Sequence, residues 1–403
     1  MKPARIAELN AKVEAEYARN KARVYPETLP KQMDIPVARY VDPRLYELEN
    51  QHVWSKVWLL AGHADELPEV GSYKLWTLSG QQVILVRGKD RQIRAFFNSC
   101  RHRGAALIRE PHGKQKVFAC KFHAWTYDLQ GDLVFVPEEN DFPCLDKKQN
   151  GLVQLRCESW GNLIFVNRDP QAQPLLEYLG RATDELAHFE FESWKLGART
   201  ERYELKCNWK TAIEAFLEAY HVDTVHPQTV APFLDSRGVV FEMWNRTTLM
   251  VLPNYRDKQF KYSSSDSGDP RHELTRAASL NFEIFPNAHV PLTEFTAPFM
   301  IFWPTGIASC VIEVLYLESP HSPLSSEQQE QLVYSQVDTV LREDFSNVEA
   351  QQRTNESGAF KHIHIGAREW RIYRWHEIID EMIGAEKIPA ELRIPTLLGP
   401  TLG

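Results

Sequence analysis

Two short cysteine–histidine motifs constrain this 403-residue chain more than any other feature. Cys100 and His102 form a C-x-H motif, and after seventeen further residues Cys120 and His123 form a C-x-x-H motif. Thiolate and imidazole groups are ligands that iron and zinc bind well. The surrounding sequence reads as short strands broken by turns, so each pair is predicted to lie on a loop between strands. Two such loops can hold one inorganic centre between them.

Two kinds of metal centre fit this set of ligands. Two cysteines and two histidines are the ligands of a Rieske-type [2Fe–2S] cluster, in which the thiolates bind one iron and the imidazoles bind the other. The alternative is a structural zinc ion bound by the same four residues. The C-x-H spacing is uncommon in structural zinc sites, which favours the cluster. The chain has only six cysteines, too few for a disulfide framework at this length.

A second candidate metal site lies further along the chain. Glu218 and His221 are three residues apart and would share one face of a helix predicted over residues 209–220. His221 and His226 are five apart, which on an unbroken helix would separate them by roughly 140°. Pro227 disfavours helical geometry at His226, so we predict that the helix opens before it and lets both imidazoles converge. With a carboxylate from elsewhere they would form a facial triad for a mononuclear iron. The alternative is a pair of ordinary helix-end histidines.

The composition weakly disfavours some classes of partner. The chain has 46 basic and 54 acidic residues and a formal net charge of -8, which argues against nucleic acid or an anionic membrane as a partner. Residues 1–30 are charged throughout and lack the apolar region of a secretory signal. No apolar run is long enough to cross a bilayer, so a cytoplasmic location is expected.

The periodicity changes near residue 170, which predicts two folded regions. The first region reads as short strands and the second as a mixture of helices and antiparallel strands, so the fold class is α+β. The strands are predicted at 82–86, 93–97, 163–166, 203–206, 248–252, 299–303 and 311–315, and the helices at 175–188, 209–220 and 328–352. Residues 263–268 are predicted to form an exposed loop.

In their order along the chain, these motifs resemble the α subunit of the Rieske non-haem iron ring-hydroxylating oxygenases. The resemblance covers nearly the whole length: C-x-H-x17-C-x2-H comes first, and Asn208-Trp209-Lys210, Glu214, Tyr220-His221 and His226 follow. It implies an all-β Rieske [2Fe-2S] domain followed by a helix-grip (START/Bet v1-like) catalytic domain, in which an antiparallel sheet wraps around a long helix. We therefore expect an N-terminal helical arm at 1–45, the Rieske domain at 46–170 and the catalytic mononuclear iron domain at 171–403.

The resemblance also implies which residues bind the two iron centres. The four residues of the cysteine–histidine motifs would bind the cluster, and His221 and His226 would bind the mononuclear iron. In the family the third ligand is an aspartate on a late helix, commonly after another acidic residue. Asp344 fits that pattern, and Asp338 is the alternative.

The chain departs from the family pattern at two positions. Glu218 stands where many relatives have aspartate, at the residue that, by the resemblance, bridges His123 of one subunit to His221 of its neighbour. A glutamate can also accept two hydrogen bonds, so we expect the bridge to survive with a shifted geometry. Ala215 stands where many relatives have asparagine after the residue equivalent to Glu214.

The resemblance implies a terminal oxygenase that uses O2 and electrons from NAD(P)H. No GxGxxG or flavin signature is evident in the chain, so a separate flavin reductase, a ferredoxin, or both would deliver the electrons. The substrate would be an aromatic or other hydrophobic small molecule that is monohydroxylated, cis-dihydroxylated or oxidatively demethylated. The resemblance also implies a homotrimer, since the two centres of one chain are expected to lie too far apart for electron transfer, and a small β subunit is a further candidate partner.

The substrate is the least constrained part of this hypothesis. Apolar residues that could line a pocket are Phe216, Leu217, Phe233, Leu234, Val251, Phe285 and Phe302. Glu218 in place of aspartate also occurs in relatives that act on quaternary ammonium compounds, so a betaine- or carnitine-like substrate is the alternative. Two further alternatives are a zinc-stabilised helix-grip binding protein without redox chemistry and an electron carrier that keeps only the cluster.

Overall fold

The computed structural model describes residues 1–78, 80–255, 273–293 and 295–399, without the side chains of Leu78 and Leu332. The loop predicted at 263–268 lies outside the described residues. Within the described part, no helix has both the length and the apolar character needed to cross a membrane. The chain divides into two compact units, Ser55–Leu175 and the combination of Met1–Trp54 with Leu176–Gly403.

The smaller unit is built from antiparallel strands. Its strands are β2 (Leu59–His63), β3 (Ser72–Leu78), β4 (Gln81–Arg87), β5 (Ile93–Phe97), β6 (His112–Lys114), β7 (Phe118–Ala119), β8 (Thr126–Tyr127), β9 (Leu133–Phe135), β10 (Gln154–Trp160) and β11 (Leu163–Asn167). Seven of them form one sheet in the order β2-β11-β10-β5-β4-β3-β6, and β7-β8-β9 form a second. The strands predicted at 82–86, 93–97 and 163–166 are confirmed as β4, β5 and β11.

Apolar side chains from both sheets form the core of this unit. Ile84 and Phe96 come from the large sheet, and Phe118, Tyr127 and Leu133 come from the small one. Ile84 and Phe96 face each other on neighbouring strands, in the register expected for a two-residue alternation of side chains. Cys100 and Cys120 belong to the same buried cluster, so the ends of the two motif loops are anchored in this core.

The larger unit contains a seven-stranded antiparallel sheet in the order β12-β18-β17-β16-β15-β14-β13. These strands are β12 (Lys195–Leu205), β13 (Val240–Trp244), β14 (Thr247–Pro253), β15 (Ala278–Ile284), β16 (Ala288–Leu292), β17 (Thr296–Gly306) and β18 (Ser309–Glu318). The strands β1 (Asp34–Pro36) and β19 (His362–His364) form a separate two-stranded antiparallel sheet. The strands predicted at 248–252, 299–303 and 311–315 fall within β14, β17 and β18, and the strand predicted at 203–206 overlaps the end of β12, which stops one residue earlier.

The helices of the described residues are distributed along both units of the chain. The α-helices are α1 (Pro3–Ala22), α2 (Pro43–Glu49), α3 (Leu175–Leu179), α4 (Arg181–Glu185), α5 (Trp209–Glu214), α6 (Val222–Val225), α7 (Glu273–Ala277), α8 (Ser326–Gln329), α9 (Ser335–Ser357) and α10 (Trp370–Ile383). One-turn π-helices are Asn50–Trp54 and Glu330–Tyr334. The 3-10 helices are Val37–Tyr40, Ala64–Glu66, Glu139–Asp141, Lys147–Gln149, Ala187–Phe189, Ser236–Gly238, Ala385–Lys387 and Ala390–Leu392.

The long helix α9 packs against the sheet through a buried stripe. Leu341, Phe345 and Val348 are buried at the three- and four-residue spacing that places them on one face. The Phe345 ring lies 5.1 Å from the ring of Tyr203 on β12. Gly358 ends the helix with a φ of 67°, a left-handed conformation that costs glycine little. The helix predicted at 328–352 is therefore present, interrupted by the π-turn and five residues longer at its end.

Two predicted helices are shorter than the periodicity indicated. The helix predicted at 175–188 is split at Gly180, which separates α3 from α4. The helix predicted at 209–220 ends at Glu214, and the carbonyls of Ile213 and Glu214 accept from the N–H groups of Phe216 and Leu217, three residues on. Arg371 of α10 donates to the carbonyl oxygens of Phe216 and Leu217 over 3.1 and 2.8 Å. A side chain far along the sequence thus competes with the helix for its acceptors.

Candidate metal centres

Three potential metal ligands meet where α6 and α9 approach each other. One ligand atom from each of His221, His226 and Asp344 lies within 4.8 Å of the other two. Asp344 Oδ1 is 3.5 Å from His221 Nε2 and 3.0 Å from His226 Nε2. The structure therefore places Asp344 with both histidines. Asp338 instead bonds Arg342 and Tyr203, and it is not part of this group.

A short break in the helix brings the two histidines together. The α6 helix spans only four residues, and His226 follows it with a φ of -115° and a ψ of 45°, outside the helical region. The two imidazole rings consequently lie with their centroids 5.2 Å apart. The predicted opening of the helix before His226 is confirmed, in the position where Pro227 disfavours helical geometry.

Each of the two imidazoles bonds a carboxylate through its Nδ1 atom. His221 Nδ1 donates to Glu218, whose other oxygen accepts from the backbone N–H groups of Tyr220 and His221. His226 Nδ1 donates to Glu343 over 2.6 Å, and Thr229 Oγ1 donates to the same carboxylate oxygen over 2.6 Å. With both Nδ1 atoms occupied, both Nε2 atoms are left for a metal, in the arrangement typical of metal-binding histidines. This donor set, two neutral imidazoles and one carboxylate, fits iron(II).

The electrostatics of the group favour a positive charge. Burial lowers the pKa of His221, but Glu218 and Asp344 raise it more, so the net shift is upward. Burial also lowers the pKa of His226, and Asp344 and Glu343 more than offset it. Three carboxylates around two imidazoles leave an excess of negative charge that a divalent cation would neutralise.

The two cysteine–histidine loops have the same backbone conformation. The Cys100 N–H donates to the Ala105 carbonyl and the Gly104 N–H donates to the Cys100 carbonyl, over 2.8 and 2.9 Å. Cys120 repeats this pattern with the carbonyl of Trp125 and the N–H of Ala124, both over 2.9 Å. Gly104 and Ala124 both have positive φ angles, 74° and 56°. As predicted, each motif lies on a loop between strands, and the two turns are equivalent.

The cysteine and histidine side chains of these two loops differ in their exposure to solvent. Cys100 and Cys120 are 3% and 4% exposed, whereas His102 is half-buried and His123 is exposed. The ring centroids of the two histidines are 4.8 Å apart. Two buried sulfur donors beneath two accessible nitrogen donors are a suitable ligand set for an asymmetric cluster whose imidazole-bound iron faces the surface.

Aromatic residues hold this site in place. The Tyr127 hydroxyl accepts from the Arg101 N–H over 2.9 Å and lies within hydrogen-bonding distance of Cys100 Sγ, at 3.4 Å. The His102 ring stacks on Trp125 at a centroid distance of 4.9 Å. Burial raises the pKa of the Cys100 thiol, and the adjacent Cys120 raises it further. A bound metal would supply the positive charge that a buried thiolate needs.

A cavity of about 530 Å³ opens beside the His221–His226–Asp344 group. Of the apolar residues expected to line a pocket, Phe216, Phe233 and Leu234 do so. The other four, Leu217, Val251, Phe285 and Phe302, are buried in the core. The remaining wall is provided mainly by apolar side chains of the sheet and of α9, for example Met250, Pro298 and Val337. Such a cavity fits a small hydrophobic molecule.

The sequence did not reveal several residues that support the site. The sequence indicated Glu343 only as the acidic residue before Asp344. Its bond to His226 could not be predicted, because the fold brings the two residues together. A second group lies behind α5, where Glu214 accepts from Tyr40 Oη and from His376 Nε2 over 2.9 and 2.8 Å. Burial raises the pKa of Glu214 to about 7. Burial also moves the pKa of His376 well below its ordinary value, so this histidine is neutral.

Comparison with known families agrees with this organisation. The Rieske [2Fe-2S] domain family matches residues 57–146, and the catalytic domain of the ring-hydroxylating alpha subunit family matches residues 191–385. The chain belongs to the Rieske non-haem iron oxygenases and has the two domains of an α subunit. Its cofactors are therefore a Rieske [2Fe–2S] cluster and a mononuclear iron, and the zinc alternative is not supported.

Individual relatives fall into two groups. Chlorobenzene dioxygenase subunit alpha of Cupriavidus sp. (strain PS12) is 38% identical over 191 residues, which are 46% of this chain and 42% of that protein. Carnitine monooxygenase oxygenase subunit of Escherichia coli (strain K12) is 34% identical over 197 residues, 48% of this chain and 52% of that protein. The matched segment thus spans about half or less of the length of these curated relatives.

Solved structures share the fold over most of the chain. A quaternary ammonium Rieske monooxygenase in complex with L-carnitine matches with a TM-score of 0.73 and 22% identity, covering 86% of this chain and 95% of that one. Naphthalene 1,2-dioxygenase from Rhodococcus sp. bound to indole matches with a TM-score of 0.74 and 18% identity, covering 93% and 99%. At these identities the likeness shows the fold.

Proposed function

We propose that this chain is the terminal oxygenase of a Rieske-type system, in which His221, His226 and Asp344 bind a mononuclear iron and Cys100, His102, Cys120 and His123 bind the [2Fe–2S] cluster. The observation that carries the proposal is the convergence of His221, His226 and Asp344 at the wall of an apolar cavity. The domain boundaries that go with it are those expected from the sequence, with the Rieske domain at 46–170 and the catalytic domain at 171–403.

The chain's own residues prepare the site for this chemistry. When bound, the iron supplies reductive activation of O2, and the cluster supplies the electrons one at a time. Glu218 and Glu343 hold the two Nδ1 protons, which fixes the ring orientations and leaves Nε2 free to bind metal. The mainly apolar cavity wall would favour displacement of water by a bound hydrophobic substrate. The substrate would be an aromatic or other hydrophobic molecule into which this chemistry would insert one or both oxygen atoms.

Glu218 is the proposed route between the two kinds of centre. It already holds His221 Nδ1, and it is buried with 8% of its surface exposed. We propose that its carboxylate also accepts from His123 of a neighbouring subunit, which would make the active unit a ring, most simply a homotrimer. His123 is exposed on its loop, as such a contact requires. A flavin reductase, with or without a ferredoxin, would deliver electrons from NAD(P)H in the cytoplasm.

A quaternary ammonium compound is the second candidate substrate. The glutamate at position 218 and the similarity to the carnitine monooxygenase oxygenase subunit favour it. A cation of this kind is usually held by an aromatic cage. The cavity wall carries the phenyl rings of Phe216 and Phe233, but its described lining residues include no tryptophan or tyrosine. The hydrophobic substrate therefore remains the preferred proposal.

Oxygen consumption coupled to product formation tests the proposal. The purified chain, supplied with a surrogate reductase and a panel of aromatic, terpenoid, steroid and betaine compounds, is expected to consume O2 only with accepted substrates. His226→Ala should abolish this turnover while the visible spectrum of the cluster and its reduction remain unchanged. Substrate-dependent oxygen uptake that survives in His226→Ala would contradict the assignment of the iron site.

A further inference from the structure

One histidine in the cavity wall has no part in metal binding. His289 lies on β16, is 3% exposed and lines the cavity near Phe216, whose ring centroid is 4.9 Å from its own. Its Nδ1 is bonded to Glu283 Oε1 over 3.0 Å. Because Nδ1 is occupied, Nε2 is the ring nitrogen available to a molecule in the cavity.

Buried partners fix the tautomer of this histidine. Glu283 is fully buried, and its second oxygen accepts from Thr248 Oγ1 and from Arg371 Nη1. Arg371 is also fully buried and is permanently charged, so Glu283 balances it as a carboxylate. A carboxylate can only accept, which means that the proton of His289 lies on Nδ1. In the neutral ring Nε2 is then a hydrogen-bond acceptor.

Most of the other polar side chains of the wall take part in a hydrogen bond within the protein or lie near solvent. Asn281 donates to Ser279 over 3.2 Å, and the hydroxyls of Thr293 and Thr296 bond each other over 2.8 Å. Gln228 and Gln336 are exposed residues. The described lining residues include no lysine or arginine, and their only carboxylates are Glu218 and Asp344 of the metal site.

We infer that His289 orients the substrate by accepting a hydrogen bond through Nε2. The substrate class is therefore an uncharged, largely apolar ring compound that carries a hydroxyl or N–H donor away from the position that is oxidised. The inference rests on the proposed function, because it specifies the substrate of that same cavity. An anionic substrate would meet no lysine or arginine in the described wall, and a quaternary ammonium compound would leave Nε2 without a donor.

Equilibrium binding to the iron-loaded protein under anaerobic conditions tests this inference without turnover. The probes are 2-naphthol, which has a donor, 2-methoxynaphthalene, which has the same ring without one, and phenyltrimethylammonium, which is cationic. The wild-type protein is expected to bind 2-naphthol about tenfold more tightly than 2-methoxynaphthalene, the effect of one buried hydrogen bond. Phenyltrimethylammonium should bind more weakly than 2-naphthol.

Two variants assign the preference to His289. His289→Leu removes the acceptor, and the ratio of the two naphthalene dissociation constants is expected to fall to about one. Met300→Leu is the matched control, because Met300 pairs with His289 on the neighbouring strand and also lines the cavity. This control should keep the tenfold ratio. Thermal melting of both variants checks that they are folded. If His289→Leu does not fold, the comparison of 2-naphthol with 2-methoxynaphthalene in the wild-type protein still tests the inference.

Equal wild-type affinities for 2-naphthol and 2-methoxynaphthalene would overturn the inference, and so would a ratio that persists in folded His289→Leu. Phenyltrimethylammonium binding as tightly as 2-naphthol would overturn the uncharged substrate class. These results differ from a failure of the proposed function, because that failure would appear in metal content and oxygen consumption rather than in relative affinity.

Discussion

At the scale of single residues, the candidate iron site depends as much on carboxylates that do not bind metal as on the ligands themselves. Glu218 and Glu343 each bond the Nδ1 atom of one histidine and so determine which nitrogen faces the metal. The sequence could suggest Glu218 from its three-residue spacing to His221. It could not pair Glu343 with His226, because 117 residues separate them and only the fold brings them together.

Glu343→Gln is expected to weaken iron binding at the mononuclear site by about 10- to 100-fold, because the amide orients His226 less firmly and lowers its basicity. The measurement is iron retention during titration with a chelator, with the cluster followed by its visible spectrum. Glu356→Gln, an exposed position near the end of α9, is the matched control and should retain iron as the wild type does. Equal iron retention in Glu343→Gln and the control would contradict this role.

In protein loaded with saturating iron, Glu218→Gln is expected to lower turnover by roughly 10²- to 10⁴-fold, since the amide cannot hold and pass a proton as a carboxylate does. The direct readout is the rate at which the reduced cluster is reoxidised by O2 in a single turnover. Glu218→Asp restores the carboxylate on a shorter side chain and should recover part of the rate. Wild-type reoxidation in Glu218→Gln would remove Glu218 from the electron path.

Glu214 makes the stability of the larger unit depend on pH. Burial raises the pKa of Glu214 from 4.5 to about 7, so between these values the folded chain holds a proton that the unfolded chain releases. The free energy of unfolding should therefore decrease as the pH rises from 4.5 to 7, by on the order of 1–3 kcal/mol.

Glu214→Gln should flatten this dependence, measured as the melting temperature across that pH range. Glu204→Gln, at an exposed position on β12, should leave the dependence as it is in the wild type. An unchanged slope in Glu214→Gln would show that Glu214 is not the group responsible.

At the scale of secondary-structure elements, local periodicity predicted the strands better than the helices around the site. The residues at 82–86 are mostly apolar, and the strand β4 forms there with most of them buried. The helix predicted to reach Tyr220 ends at Glu214, and Arg371 occupies the carbonyls of Phe216 and Leu217, which a longer helix would need as acceptors. The Glu218 carboxylate also accepts the N–H groups of Tyr220 and His221. A local sequence pattern cannot predict the bonds of Arg371 to these carbonyls, since Arg371 lies far along the chain on α10.

The buried stripe of Leu341, Phe345 and Val348 holds α9 against the sheet and so positions Asp344. Shortening one side chain of this stripe tests that role. Leu341 is fully buried one turn before Asp344, so Leu341→Ala is expected to lower the free energy of unfolding by about 2–5 kcal/mol. Arg342→Ala, at the adjacent exposed position, should change it by less than about 1 kcal/mol. Denaturant unfolding of the two variants makes the comparison, and equal losses would show that the stripe does not anchor the helix.

At the scale of the whole molecule, the chain combines a domain that fits an electron-storing cluster with a domain that fits an oxygen-activating iron. The order of the motifs along the sequence predicted this combination, and the family matches at 57–146 and 191–385 agree with it. Sequence alone left Asp344 and Asp338 as alternatives, because both lie on one helix. Their surroundings differ in the structure, where Asp344 approaches both histidines and Asp338 bonds Tyr203 and Arg342.

Iron and acid-labile sulfide analysis of Asp344→Ala beside Asp338→Ala is the most direct test of this account. The wild type and Asp338→Ala should contain roughly three irons and two sulfides per chain. Asp344→Ala should lose one iron and all oxygen consumption while keeping both sulfides and the cluster spectrum. Full iron content in Asp344→Ala, or a wild-type protein that holds zinc and no sulfide, would contradict the account.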